Sequence, residues 1–180
     1  KVTKKLKGVE LNSSFQNYFK SKKKYIDIRE NIDNFNDKFD VITMFHVLEH
    51  LPKQIDILKN CRKHLKNRGK IIIEVPHAKD FLLDQLNIKE FKNFIFWSEH
   101  LVLHTEKSLN KFLKKSGFKN IKIEFCQRYG FTNHLNWIIN KKPGGHETLK
   151  NLYNKELDLK YKSFLENMKC SDTIIAIAEK

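Results

Sequence analysis

FDVITMFHVLEHL, from Phe39 to Leu51, and GKIIIEVPH, from Gly69 to His77, decide how this chain folds. Each contains an unbroken apolar run rich in β-branched residues, which is typical of a strand buried on both faces of a parallel sheet. Pro52 to Lys66, between them, carries apolar side chains at helical spacing. Strand, helix and strand in this order predict a βαβ unit, and such units bind ligands at the carboxyl ends of their strands.

The rest of the chain continues this alternation within one predicted α/β domain, residues 1–180. The predicted strands are Leu6–Leu11, Tyr25–Ile28, Asp40–Met44, Ile71–Val75, Ile121–Phe125 and Thr173–Ala178. The other predicted helices run from Ser13 or Ser14, as N-cap, to about Ser21 and from Thr105, as N-cap, to Lys115. Cys126 to Ser171 is too long for a simple connection, so we predict an inserted subdomain at 126–171 that forms a lid or substrate wall.

The composition limits the classes of partner. The net charge is +14, but only four of the 35 basic residues are arginines, and the lysines are scattered over helix surfaces. Because arginine is the residue of bidentate phosphate and guanine recognition, this balance argues against a nucleic-acid partner. No apolar run approaches the roughly 18–20 residues of a membrane span. Three widely spaced cysteines indicate reduced thiols and a cytoplasmic protein.

The two opening motifs resemble class I S-adenosylmethionine-dependent methyltransferases, and especially a bacterial branch with "FDVI…FHVLEHL" at its fourth strand and "EVP" at the end of its fifth. LKGVELN, Leu6–Asn12, is similar to the family's second strand, and SDTIIAIAEK to its last. Ser98–Phe118 resembles the segment before strand six. The resemblance implies a Rossmann-like sheet, mostly parallel with an antiparallel last strand, S-adenosylmethionine as cofactor, and methyl transfer as the activity.

The family's first strand and its glycine-rich loop have no counterpart in the sequence. None of the six glycines forms a GxGxG loop after a strand. We therefore expect the N-terminal part of the domain to be missing, with the loop encoded upstream of Lys1. The alternative is a degenerate relative without cofactor.

The resemblance implies a cofactor site at three strand ends. Glu10, which ends the first predicted strand, would accept the ribose hydroxyls, the turn after the next strand would pack the adenine, and Phe45 has the aromatic ring that suits a sulfonium cation. Glu30 is the alternative to Asp27 as the carboxylate that binds the adenine amine. For Asn12 the alternative to a ligand-binding role is that of a turn residue. The full predicted set is Glu10, Leu11, Asn12, Asp27, Ile28, Arg29, Met44, Phe45 and His46.

Three histidines are candidates for the general base, because an imidazole titrates near neutral pH. His46 follows the fourth strand of the family pattern, His77 follows the fifth, and His100 lies in a segment expected to fold over the same edge. His46 is the first choice, and each of the three has a structural role as its alternative.

The sequence motif HxxEH, His46 to His50, also occurs in zinc proteases, where its two histidines lie on the same face of a helix. A catalytic zinc site needs a third ligand, and this motif lies at a strand-to-helix turn. We therefore predict no bound metal.

The insert suggests the acceptor. Aromatic and amide side chains at its start are typical of sugar-binding surfaces, and the predicted substrate residues are Arg128, Tyr129, Asn133 and Trp137. A small aromatic core is the alternative, most of all for Trp137. We predict O-methylation of a small molecule or saccharide. The insert also resembles that of bacterial methyltransferases found among surface-polysaccharide enzymes, which implies a role in surface-polysaccharide synthesis. The alternatives are a quinone precursor, RNA, or a non-catalytic binding module on the same sheet.

Overall fold

A computed structural model describes residues 5–22 and 26–180 of the chain. The strands are β1 (Lys7–Val9), β2 (Asp27–Arg29), β3 (Phe39–Phe45), β4 (Leu65–Pro76), β5 (Lys119–Cys126) and β6 (Thr173–Glu179). The α-helices are α1 (Ser13–Lys22), α2 (Gln54–His64), α3 (Lys89–Ile95), α4 (Glu106–Lys115), α5 (Phe131–Asn140), α6 (Gly145–Thr148) and α7 (Lys155–Asn167). Short 3₁₀ turns span Ile32–Asn34, Leu48–His50 and Lys150–Leu152, and Phe81–Gln85 forms one π-helical turn.

The described strands form a four-stranded sheet of order β3-β4-β6-β5 and a separate parallel pair, β1-β2. In the larger sheet β3 and β4 run parallel, while β6 is antiparallel to both of its neighbours. The predicted α/β fold with an antiparallel last strand is therefore confirmed. Within the described residues no ladder joins β3 to β1 or β2. The expectation of a further strand, with its glycine-rich loop, stays a prediction.

The N-terminal elements differ from the predictions at their ends. β1 is shorter than Leu6–Leu11, and β2 runs to Arg29; Tyr25, where that strand was predicted to begin, lies outside the described residues. The predicted serine caps of α1 are wrong. The side-chain oxygen of Asn12 accepts the backbone N–H of Ser14 at 2.9 Å, so Asn12 is the capping residue.

The central βαβ unit confirms the predicted order but not the predicted helix bounds. A 3₁₀ turn follows β3, and α2 begins only at Gln54, after Lys53 in a left-handed conformation. The helix ends at His64 because Leu65 already pairs with Phe39 across the sheet. The strand after α2 is thus longer than Ile71–Val75.

One apolar core lies between the large sheet and helices α2 and α4. Its fully buried members include Leu58 of α2, Leu109 and Leu113 of α4, and Ile71 and Ile73 of β4. The predicted N-cap Thr105 is confirmed: its hydroxyl accepts the Ser108 N–H at 3.1 Å in a capping box. These locally encoded helices cover the sheet and hold its strand ends in position.

The insert packs against the segment that follows β4. Trp137 of α5 lies in a second apolar cluster with Leu82, Leu83, Ile88 and Phe91. The backbone N–H of Phe81 donates to the Cys170 carbonyl at 2.9 Å. The division into a domain and a subdomain at 126–171 stays a prediction.

None of the helices in residues 5–22 and 26–180 combines the length and the apolar character that crossing a membrane requires.

Candidate active site

The ends of β3 and β4 lie side by side because these two strands are parallel. Phe45, the last residue of β3, pairs with Glu74, and the backbone N–H of His46 donates to the Glu74 carbonyl at 2.9 Å. His46 has a φ of 52°, which turns the chain out of the sheet directly after the strand. The turn predicted to contact the cofactor sulfonium thus begins at the sheet edge, next to an acidic residue of β4.

The imidazole of His46 lies between two carboxylates. Its Nε2 atom is 3.0 Å from Glu74 Oε1, and its Nδ1 atom is 3.4 Å from Glu49 Oε1. The contact with Glu49 raises the pKa of His46 above its ordinary value, against the opposing effects of partial burial and of Arg128. A half-buried histidine with a carboxylate on each side can accept a proton and hold it as an ion pair.

Arg128 of the insert reaches the same histidine. Its Nη1 atom contacts His46 Nε2 and lies 3.5 Å from Glu74 Oε1. The backbone N–H groups of Arg128 and Tyr129 donate to the carboxylate of Asp172, at 3.0 and 2.9 Å, and burial raises the pKa of that carboxyl group. A predicted substrate residue and the first-choice base therefore share one site, and Asp172 holds the backbone that brings them together.

Glu10 follows β1, and its backbone N–H donates to the Arg29 carbonyl at 2.9 Å. Its Oε1 atom accepts the Asn12 N–H at 2.8 Å, which orients the carboxylate in the turn. Asn12 itself caps α1, a role that was not predicted for it from the sequence, and Leu11 is exposed. Glu10 is the member of this turn whose carboxylate is placed to accept further hydrogen bonds.

The polar side chains of β2 form ion pairs with each other and with β1. Arg29 Nε donates to Asp27 Oδ1 at 2.8 Å, and Lys7 Nζ lies 3.5 Å from Asp27 Oδ2. These bonds, that of Arg29 first, lower the pKa of Asp27. Ile28 is buried, and Glu30, the alternative partner for an adenine amine, is exposed. The carboxylate of Asp27 is thus already paired, whereas Glu30 faces solvent.

Met44 and Phe45 differ in exposure because they point to opposite faces of β3. Met44 belongs to the main core, whereas the Phe45 ring is 54% exposed beside the site. Of these two, Phe45 is the side chain that a ligand can contact.

His77 and His104 are buried and support the sheet. His77 Nδ1 is 3.1 Å from the Ser171 carbonyl, and its ring packs edge-on against Phe125. Burial lowers the pKa of His77, and it lowers that of His104 to about 4. With 2% of its surface exposed, His77 has no open face toward an acceptor. His46 is therefore the candidate base that the geometry favours.

His100 lies in the segment that folds over the turn after β3, as predicted. Leu101 donates its backbone N–H to the Glu49 carbonyl at 2.9 Å, and His50 Nδ1 is 2.9 Å from the Glu99 carbonyl. The rings of His50 and His100 have centroids 4.8 Å apart. The structure thus places His100 beside Glu49 and His50.

The predicted stacking role of Trp137 is wrong. Its indole is 4% exposed and packs edge-on against Phe91 with ring centroids 5.1 Å apart. A sugar ring cannot reach it, so the alternative of an aromatic core describes this residue. Asn133 is also buried, whereas Tyr129 is about half exposed and adjoins Arg128.

Two residues of the site were not predicted. The sequence contained a sign that Glu74 is functional. It is the one acidic residue in the apolar run IIIEVP, and a buried parallel strand does not normally carry a charge. No feature of the sequence indicated a role for Asp172, because its hydrogen-bond partners lie 43 to 45 residues away in the chain.

Comparison with known families supports the same assignment. The sequence model of the methyltransferase domain family matches residues 4–123. This chain belongs to that family. The resemblance of its motifs to methyltransferases is thereby confirmed, whereas the particular bacterial branch stays a prediction.

Individual relatives are more distant. A tRNA U34 carboxymethyltransferase from Aliarcobacter butzleri is 28% identical over 97 residues, which are 52% of this chain and 30% of that protein. The chain thus matches less than a third of this relative's length.

Two solved methyltransferase structures share the fold. One is an S-adenosylmethionine-dependent methyltransferase from Archaeoglobus fulgidus, with a TM-score of 0.59, 18% identity, and coverage of 97% of this chain and 75% of that one. The other, from Thermotoga maritima, has a TM-score of 0.61, 15% identity, and coverage of 97% and 72%. At these identities the likeness concerns the fold, which is the Rossmann-like fold of class I methyltransferases.

Proposed function

We propose that this methyltransferase-family chain transfers a methyl group from S-adenosylmethionine to a hydroxyl oxygen of a small-molecule or saccharide acceptor. The observation that carries the proposal is the contact of His46 with both Glu74 and Arg128 at the carboxyl ends of β3 and β4. Open α/β sheets bind their ligands at this edge. A proton acceptor and an anion-binding group lie there together.

The cofactor site in this proposal is built on Glu10. One of its carboxylate oxygens accepts the Asn12 N–H, and the other can accept a ribose hydroxyl. The exposed ring of Phe45 is available to a cation, and Glu30 is the exposed candidate for the adenine amine in place of Asp27. S-adenosylmethionine, when bound, supplies an electrophilic methyl group to an acceptor aligned with it.

The acceptor side is formed by His46, Glu74, Arg128 and Tyr129. In this proposal Arg128 moves from His46 Nε2 to an anionic group of the acceptor, so that Nε2 takes the proton of the acceptor hydroxyl and then donates it to Glu74 in an ion pair. Arg128 suits a carboxylate or phosphate group of the acceptor, and the exposed face of Tyr129 suits a sugar ring.

Calorimetry and a methyl-transfer assay on the full-length protein test this function. Glu10→Ala should weaken S-adenosylmethionine binding by about 1–3 kcal/mol, because charge-assisted hydrogen bonds are lost. Glu156→Ala, at an exposed residue of α7, is the matched control. His46→Ala should abolish most turnover, because the proposed proton acceptor is lost. An unaltered affinity in Glu10→Ala would contradict the cofactor site.

RNA is a second candidate acceptor. One observation favours it: the partial match to a protein named as a tRNA U34 carboxymethyltransferase. Assays with labelled cofactor on oligosaccharides, a quinone precursor and unmodified tRNA separate the acceptors. Transfer to tRNA alone would replace the saccharide proposal. Cofactor binding without transfer to any acceptor would favour a binding module.

The proposal also keeps the cytoplasmic location inferred from the sequence. Cys61, Cys126 and Cys170 are free thiols in the structure, and Cys61 and Cys170 are buried.

A further inference from the structure

The carboxylate of Glu49 is fully buried, and among the described residues neither of its oxygens has a hydrogen-bond partner. The nearest ring nitrogens are those of His46, 3.4 Å from Oε1, and of His50, 3.8 Å from Oε1, and neither makes a hydrogen bond of good geometry. A buried carboxylate without partners is costly, and proteins rarely retain one unless a proton, a cation or a ligand compensates it.

Two imidazoles beside Glu49 are oriented through their other nitrogens. His50 Nδ1 is 2.9 Å from the Glu99 carbonyl, and His100 Nδ1 is 2.7 Å from the Ile95 carbonyl. A carbonyl oxygen only accepts, so each Nδ1 must carry the hydrogen. The neutral ring then has its lone pair on Nε2. Metal-binding histidines are held in this way, with one nitrogen donating to a backbone carbonyl.

The three side chains converge. One carboxylate oxygen of Glu49 and one ring nitrogen each of His50 and His100 lie within 4.8 Å of one another. Ligand atoms of a tetrahedral zinc ion with bonds of about 2.0–2.2 Å lie about 3.3–3.6 Å apart, so side-chain rotations that bring these atoms up to about 1.5 Å closer would place one ion between them. Trp97 packs edge-on against both imidazoles, with ring centroids 6.3 and 5.5 Å away, and fixes their positions.

We propose that Glu49, His50 and His100 bind one divalent transition-metal ion of the zinc type. Two imidazole nitrogens and one carboxylate form a donor set that suits zinc, whereas magnesium and calcium prefer oxygen alone. The expectation of no metal rested on the lack of a third ligand near the HxxEH motif. His100 is that ligand, and it comes from a segment 50 residues further along the chain.

His46 lies outside this set of ligands. Its Nε2 atom is engaged by Glu74 and Arg128, and its Nδ1 atom faces Glu49 Oε1. Three protein ligands leave one position of a tetrahedral ion open to water or to an acceptor oxygen. That last role rests on the proposed function, whereas metal binding itself does not.

Calorimetry with zinc chloride on the chelator-treated full-length protein tests the site. We expect one equivalent of zinc to bind, with magnesium chloride at least about 100-fold weaker. His50→Ala and His100→Ala should each weaken zinc binding by about 10-fold or more. His146→Ala is the matched control, since His146 is exposed and its Nε2 atom lies 3.8 Å from Oε1 of the exposed Glu147.

Thermal melts distinguish a variant that has lost zinc binding from one that is poorly folded. Zinc should raise the melting temperature of the wild type and of His146→Ala but not of the milder variant His100→Asn. Binding that is absent in the wild type, or equally tight in His100→Asn, would overturn the proposal and leave Glu49 as a buried acid. Because these measurements do not involve methyl transfer, they can fail or succeed independently of the proposed activity.

Discussion

Arg128 lies next to Glu74 at the edge of the sheet, with its Nη1 atom 3.5 Å from Glu74 Oε1, although 54 residues separate the two in the chain. His46 lies between them, within hydrogen-bonding distance of Glu74. The carboxylate can stabilise a protonated imidazole, while the guanidinium opposes its charge. This contact places Arg128, which follows β5, beside the candidate base at the carboxyl ends of β3 and β4.

Arg128→Ala should impair use of the acceptor and spare the cofactor. Losing a charge-assisted hydrogen bond costs about 1.5–3 kcal/mol, so we expect KM for an anionic acceptor to rise at least about tenfold. The Kd for S-adenosylmethionine should stay within about twofold of the wild type. Steady-state kinetics and calorimetry measure both. Arg68→Ala, at another exposed arginine, is the control. A parallel loss of cofactor affinity would place Arg128 against the cofactor.

Trp137→Ala should destabilise the fold by about 3–5 kcal/mol, because the indole fills the cluster between α5 and the segment at 81–95. Denaturant unfolding followed by circular dichroism measures this. Tyr153→Ala, at an exposed ring, should change stability by no more than about 0.5 kcal/mol. Normal stability with weakened acceptor binding would restore the stacking role.

Gly130→Ala should also destabilise the protein, by about 1–3 kcal/mol. A Cβ atom at Gly130 would lie 1.8 Å from Asp158 Oδ1, which accepts the Phe131 N–H at 2.8 Å. Gly8→Ala is the matched control, since its Cβ would meet nothing closer than 3.5 Å. The double variant Gly130→Ala/Asp158→Ala, in which the Asp158 carboxylate no longer clashes with the new Cβ atom, should recover part of the lost stability. Equal melting temperatures for Gly130→Ala and Gly8→Ala would show that the loop before α5 can shift without a loss of stability.

Asp80 should make stability depend on pH. It accepts the N–H groups of Leu82 and Leu83, and burial raises its pKa to about 7. The titratable groups that face it are Asp172, Tyr161 and Cys170. A carboxyl group whose folded-state pKa is raised binds its proton more tightly when folded, so its contribution is full below pH 3.8 and is lost as the pH rises through about 7.

Asp80→Asn keeps the capping oxygen and removes the titration. The variant should therefore gain stability relative to the wild type as the pH rises from about 4 to about 8, by a few kcal/mol. Urea unfolding at a series of pH values measures the difference. A constant difference between the two proteins across this range would show that Asp80 ionises as an ordinary carboxyl group.

Local patterns in the sequence determined the strands of the large sheet, the two helices that cover it, and the family. The apolar runs at Phe39–Phe45 and Ile71–Val75 could form buried strands and little else, and the Thr105 capping box set the start of α4 by contacts within four residues. Such signals act between close neighbours in the chain, and a sequence displays them directly. The same motifs identified the methyltransferase domain.

The tertiary structure alone decided which of the candidate residues meet. Trp137 and Tyr129 have similar aromatic surroundings in sequence, yet one is buried and the other exposed, because burial depends on the Phe81–Ile95 segment packed against α5. His100 approaches Glu49 and His50 only because the segment at 97–101 hydrogen-bonds to the turn after β3. Distances between residues 50 or more apart depend on how strands and helices pack, and no local pattern encodes them.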